Sequence, residues 1–224
     1  KQLALTSGSW SYEGHYKMRE KNNYATQSLM RMDLSSSDDS TSPYVNVLAY
    51  SGSYYYPEEY KIRLVVATSA SHSDNSSPAV DVEIPNVNLF DGSRWYINVS
   101  RQNMGSKSRM HLRVKSSNRS RVYKEYATAS YMDNGNNSDP HPFEGFVVTD
   151  TPGTPPVSDR HSDDKPFISF GTPIESYAGK HLNNAANKDA GLSTTSFDGE
   201  IFNLRFWSKH LTTPECNDHS LNPF

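Results

Sequence analysis

The sequence predicts an all-β chain folded as a two-sheet antiparallel β-sandwich. Three observations lead there. Apolar residues recur at every second position in six segments, the period of a strand with one face on a core and the other in water. Stretches rich in Ser, Asn, Asp, Gly and Pro separate those segments, the punctuation of short strands joined by turns. Helical periodicity is scarce.

Composition fits this class. Only 34% of the 224 residues are hydrophobic, and 33 Ser and 18 Asn dilute them. Such a balance suggests disorder, but 26 aromatic residues and regular alternation supply a core, so long polar loops on a compact β-core satisfy both facts. A chain of this length buries roughly 70% of its unfolded surface and needs no disulfide. Its lone cysteine, Cys216, can form none internally and excludes a multi-cysteine metal site. With 22 basic and 25 acidic residues, net −3, the chain lacks the basic excess of a nucleic-acid binder. Apolar runs such as Leu64–Ala67 fall far short of the ~20 residues of a membrane span, so no membrane insertion is expected. The chain begins at Lys1 rather than Met, which reads as a processed chain or a piece of a longer one. Sequons at Asn75, Asn98, Asn118 and Asn136 are about what this Asn and Ser content gives by chance, and they carry no secretory conclusion.

The elements follow in order. Trp10, Tyr12, Gly14, Tyr16 and Met18 alternate with Ser11, Glu13, His15, Lys17 and Arg19. Ile62, Leu64 and Val66 share a face, as do Val80, Val82 and Ile84, then Trp95, Ile97 and Val99, then Met110, Leu112 and Val114. Phe202, Leu204 and Phe206 alternate with Asn203 and Arg205. Turn-rich stretches lie at Ser35–Pro43, Ser69–Pro78, Asn103–Ser108 and Asp133–Pro142. The proline-dense stretch Pro142–Pro173 reads as a linker or as a long surface loop. The loop is favoured, because Phe167–Phe170 and Phe197–Trp207 look like strands that need partners from the first half. One domain over 1–224 is therefore expected. A short helix is expected after Lys209, with Thr212 or Thr213 as its cap and Pro214 in its first turn. Lys180–Ala190 is a weaker helical candidate.

Catalytic signatures are missing: there is no phosphate loop, no G-x-G-x-x-G, no G-x-S-x-G elbow and no H-E-x-x-H. Cys216 and His219 stand three apart in a polar terminal turn, which reads as incidental. His161 with Asp159, Asp163 and Asp164 reads as a solvated loop. Asp133, Asn134, Asn136 and Asp139 are richer in oxygen ligands, and Ca²⁺ takes six to eight oxygens from a tight turn. The EF-hand spacing is not met, and Asn134-Gly135 alone accounts for a turn, so Ca²⁺ remains an option there. Asp81 and Glu83 place two acids on one strand face, as glycan-cutting sandwiches do, but a solvent face opposite Val80, Val82 and Ile84 explains them as well. Tyr54, Tyr55 and Tyr56, between Gly52 and Pro57, offer rings and hydroxyls for sugar stacking or a protein interface.

Three stretches carry a resemblance. Phe197-Asp198-Gly199-Glu200-Ile201 through Leu204-Arg205-Phe206-Trp207, followed by Leu211-Thr212, Glu215, His219 and Asn222-Pro223, resembles the closing strand and turn of the laminin-G-like, pentraxin-like and concanavalin-A-like lectin/glucanase superfamily. Ser9–Lys17 resembles its opening strand, and Asp91–Arg101 its middle strand. The pieces fall in family order over almost the whole chain. The resemblance implies a concanavalin-A-like jelly roll, with Asp-Gly pairs as hairpin turns and Arg101 and Arg205 on the outer or concave face. The chain lacks that superfamily's cystine pair, hydrolase acids and lyase R-x-E-x-R strand, so the resemblance implies binding rather than catalysis. The Ser/Asn/Tyr-rich character and the Asn222-Pro223-Phe224 ending resemble modules of phage and large-virus structural proteins. The expected function is a non-enzymatic carbohydrate-binding, adhesion or assembly module on a virion or another extracellular particle. Its expected partners are glycans or neighbouring subunits, in a homo-oligomer or lattice. The alternative is a glycan-cleaving enzyme using Asp81 and Glu83.

Overall fold

The computed structural model describes residues 8–19, 26–33, 44–52, 59–67, 80–117, 121–133, 167–171 and 197–222. They form ten strands: β1 Trp10–Met18, β2 Thr26–Asp33, β3 Tyr44–Ser51, β4 Tyr60–Ala67, β5 Val80–Pro85, β6 Arg94–Asn103, β7 Lys107–Ser117, β8 Val122–Asp133, β9 Phe167–Phe170 and β10 Gly199–Trp207. One helix, α1 (Thr213–Leu221), follows. The strands make two five-stranded antiparallel sheets. The first runs β10-β1-β6-β7-β8 and the second β5-β4-β3-β2-β9. The expected all-β sandwich is the observed class. The two late strands find first-half partners, β10 on β1 and β9 on β2, as their isolation in the sequence requires. No described helix is long and apolar enough to cross a membrane.

Alternation sets the core. Trp10, Tyr12, Tyr16 and Met18 of β1 point between the sheets with Trp95, Ile97 and Val99 of β6 and Met110, Leu112 and Val114 of β7. The second sheet answers with Leu29, Met30 and Met32, Val45, Val47 and Ala49, Ile62, Leu64 and Val66, then Val80 and Ile84. The hydroxyls of Tyr12 and Tyr16 hydrogen-bond each other, and Tyr16 also donates to the Leu29 carbonyl at 3.3 Å. Two phenols thus occupy an apolar core with their polar tips satisfied.

Three expectations are corrected. Phe202, Leu204 and Phe206 do not share one face. Glu13 pairs with Arg205 but His15 with Phe202, so β10 carries one extra residue, and Asn203 takes φ 56° there. The bulge flips parity. Phe206 and Ile201 pack on the core, whereas Phe202 turns outward to stack on His15 at 5.7 Å. Arg101 is not on the outer face either. It continues the inward set of Trp95, Ile97 and Val99, opposite Trp10 and Met110. It is fully buried, and its Nε donates to Ser108 Oγ at 2.8 Å. Nor do the described Asp-Gly pairs make hairpins. Asp91-Gly92 precedes β6 in the crossover from β5, which lies in the other sheet, while Gly199 opens β10 opposite Met18. The β6–β7 hairpin instead closes through Met104 N–H to the Lys107 carbonyl at 2.8 Å, with Gly105 at φ 89°.

Gly14 is needed where it stands. A Cβ there would lie 2.7 Å from Leu204 Cδ2 and 2.9 Å from the Tyr12 hydroxyl. Gly14→Ala is expected to cost about 1–3 kcal/mol by overpacking. Urea unfolding of the variant, read as a drop in midpoint at unchanged slope, checks it.

Candidate functional site

The outer side of the first sheet carries a dense set of polar side chains, many of them buried. Cross-strand register arranges it in rows. Arg205, Glu13, Asn98, Arg113 and Ala127 line up across β10-β1-β6-β7-β8, flanked by Trp207, Ser11, Ser100, His111 and Ala129 on one side and Phe202, His15, Tyr96, Lys115 and Glu125 on the other.

Glu13 lies at the centre of the β1 side and is 1% exposed. Its Oε2 accepts the Tyr96 hydroxyl at 2.6 Å and His219 Nδ1–H at 2.8 Å, and Oε1 accepts Arg205 Nη1 at 3.3 Å. Three elements therefore converge on one carboxylate, and α1 is one of them. Trp207 stacks on His219 at 5.2 Å. Ser11 Oγ donates to the Lys209 carbonyl and accepts Leu211 N–H, and Ser117 Oγ donates to the Ser220 carbonyl. The helix starts where the sequence places it. Glu215 accepts both the backbone N–H and the hydroxyl of Thr212, which satisfies the N-terminal donor. Lys209 and these Thr212 bonds hold the Glu215 carboxyl down to about 2.

Further along the face, β7 presents Arg109, His111, Arg113 and Lys115 at every second position. The His111 and His210 rings lie 4.7 Å apart. His210 Nδ1 bonds Ser100 Oγ at 3.0 Å, and Arg113 Nη1 donates to Asn98 Oδ1 and Ser100 Oγ. Burial, then the Arg113 charge, pushes His111 down to about 3 and lowers His210 as well. Both imidazoles are thus neutral at pH 7. At the β8 edge Tyr123 and Tyr131 stand half-exposed. Arg121 lies over one ring at 4.6 Å and Arg109 over the other at 5.4 Å.

The sequence-derived candidates fare differently. Tyr54, Tyr55 and Tyr56 lie outside the described residues, as do Asn134, Asn136 and Asp139, the His161 loop and Lys180–Ala190. Asp133 is described only as the last backbone position of β8. Asp81 sits in a two-bond fork with Arg63, at 2.8 and 3.1 Å, and Glu83 pairs with Lys61 at 3.2 Å. Cys216 is buried, its thiol raised by that burial, and His219 is committed to Glu13 rather than to it. Asn98, one of the four sequons, is fully buried with its amide donating to the Tyr12 carbonyl. Among the described residues no three His, Cys, Asp or Glu side chains form a group able to hold a metal ion. The basic stripe on β7 was not singled out from the sequence, although the alternation Arg109-Met110-His111-Leu112-Arg113-Val114-Lys115 announces it.

Comparison with models of known protein families finds no match, and no curated protein matches the sequence.

Two predictions follow from the buried polar side chains of this face. Glu13→Ala leaves Arg205 and His219 without their acceptor, and breaking a buried pair costs about 3–5 kcal/mol. Chemical denaturation checks that loss, and proteolysis near residue 212 checks release of α1. His15 is buried with neither ring nitrogen in a well-formed hydrogen bond. Burial pushes its pKa down to about 4, against a weaker opposing pull from the Ser220 backbone. The unfolded ring titrates near 6.5, so the unfolded chain binds more protons between these values. The stabilisation is complete above about pH 6.5 and is lost as pH falls toward about 4. His15→Phe, which keeps the stack on Phe202, is expected to flatten that part of the stability–pH curve.

Proposed function

We propose that this chain is a non-enzymatic binding module, a sandwich of the laminin-G-like and concanavalin-A-like kind that displays a sheet face to glycans or neighbouring subunits on a virion or another extracellular particle. One contrast carries the reading. Among the described residues Glu13, Asp81 and Glu83 are occupied, whereas two aromatic rings on the β8 edge are half-exposed. Glu13 is buried and accepts three donors. Tyr123 and Tyr131 are 51% and 54% exposed, each with a guanidinium on its ring. An exposed ring beside hydrogen-bond donors suits a saccharide, which offers an apolar face and a rim of hydroxyls.

The glycan-cleaving alternative is the weaker reading. A glycosidase needs two carboxyl groups facing the scissile bond, one as acid and one as nucleophile or base. The Arg63 fork takes both oxygens of Asp81, and Lys61 holds Glu83.

Glycan-array binding with the intact chain tests the proposal. Binding is expected, and Tyr131→Ala is expected to weaken it roughly tenfold, about 1.4 kcal/mol, without changing the unfolding midpoint. Absence of glycan binding in a chain that assembles into a repeated lattice supports the subunit arm. A monomer that binds nothing on the array overturns the proposal.

A further inference from the structure

We infer that the outer face of β7 beside strand β8, where Arg109, His111 and Arg113 meet His210, binds the anionic group of an acidic saccharide. The inference rests on the binding-module reading and names its ligand class.

The argument begins with charge compensation along β7. Four cations of this strand lie in register with β8. Lys107 lies opposite Asp133, and Lys115 lies opposite Glu125 and pairs with it at 2.8 Å, while Asn217 Oδ1 accepts another of its N–H groups. Arg113 lies opposite Ala127, and Arg109 opposite Tyr131. Among the described residues neither guanidinium has a carboxylate partner. Arg113 is only 7% exposed, and its bonds run from Nη1 to the neutral Asn98 and Ser100. Arg109 buries its Nε without a partner. Taking a guanidinium out of water without a counterion is costly, and that cost is recovered when an anion supplies the missing acceptors.

The surroundings suit an anion as well. The His111 and His210 rings lie 4.7 Å apart with no carboxylate bonded to either; the Arg113 charge acts on both, and Glu215 acts on His210 in the opposite sense. Gln102 bonds His111 from the β6 side. The residues of β8 opposite Arg113 and His111 are Ala127, which is exposed, and Ala129, which is half-buried, so small side chains flank the cluster on that side. Oxyanions are bound where several N–H donors converge on one point, with arginine supplying a rigid fork.

The saccharide assignment comes from Tyr131. Its ring is 54% exposed and lies beside Arg109, so an anion held at Arg109 would place an attached ring over the phenol. A nucleic acid is the less suited occupant. The chain is net −3, and two guanidinia do not make the extended phosphate track that such binding needs.

Calorimetric titration of the intact chain with a sulfated hexasaccharide, an oligogalacturonate, neutral maltohexaose, inorganic sulfate and a short single-stranded oligonucleotide tests the inference. Ring resonances of His111 and His210 are followed by NMR alongside. An acidic saccharide is expected to bind best, to shift both histidines and to weaken as salt rises. Arg113→Gln and the more exposed Arg109→Gln are each expected to lower its affinity tenfold or more. Arg19→Gln, on an exposed side chain paired with Asp198, serves as the control and is expected to change nothing. Saccharide binding that ignores both β7 substitutions overturns the inference and leaves the module reading standing. Inorganic sulfate or the oligonucleotide binding as well as the acidic saccharide overturns the ligand class. Loss of all saccharide binding, here and on the array, overturns both.

Discussion

The burial of the Glu13 carboxylate is the constraint on which the rest of the first sheet depends. A charge with 1% exposure must collect its partners from the protein. They come from β10, β6 and α1, separated in sequence by up to 206 positions. The end of the chain is therefore held against its beginning. Once His219 and Arg205 are fixed, Trp207 has a surface to stack on and Leu211 and Cys216 can pack against Tyr96. Of the residues behind the resemblance to the laminin-G-like sandwiches, Glu13, Arg205, His219 and Trp207 meet in one local assembly, while Glu215 caps the helix that carries His219.

Alternation made most of the core legible, because it depends only on the two-residue strand period. Trp95, Ile97 and Val99, or Met110, Leu112 and Val114, need no further information to be placed inward. The same rule placed Phe202 wrongly, since parity survives only along an uninterrupted strand. The bulge at Asn203 is a backbone event at a left-handed φ, and asparagine is one of the few residues that adopt it readily. Nothing in the alternation marks where it falls. Arg101 fails for another reason. It keeps the inward parity but sits beside Ser108 and the Gly8 carbonyl, so the fold tolerates a cation where a hydrophobic pattern predicts none.

The candidate face was less legible than the core. Its residues lie far apart in the chain, and their meaning depends on cross-strand register. Arg113 and Lys115 look alike in the sequence. One meets Ala127 and the other Glu125 only because β8 pairs with β7 as it does. Asp81 and Glu83 are the converse case. As text they suggest a catalytic pair, yet β4 places Arg63 and Lys61 directly beside them. Sequence reasoning finds the charged side chains and leaves their partners undetermined, and the partners decide whether a charge is spent within the fold or left for a ligand.

The two sides of this outer face represent opposite solutions to buried charge. Around Glu13 the protein supplies every partner itself, and the product is rigidity: a helix fastened to a sheet. Around Arg113 it supplies only neutral acceptors and small neighbours. A sandwich seeking stability alone would place an acid at position 127 or 131, as it does at position 125. A fold keeps such a local deficit where the missing partner arrives from outside, because a site whose donors were already saturated would gain little from an anion. On the proposed reading, the stability forgone at Arg113 and Arg109 becomes the binding capacity of the face, and the fully compensated half beside it holds the donors in place.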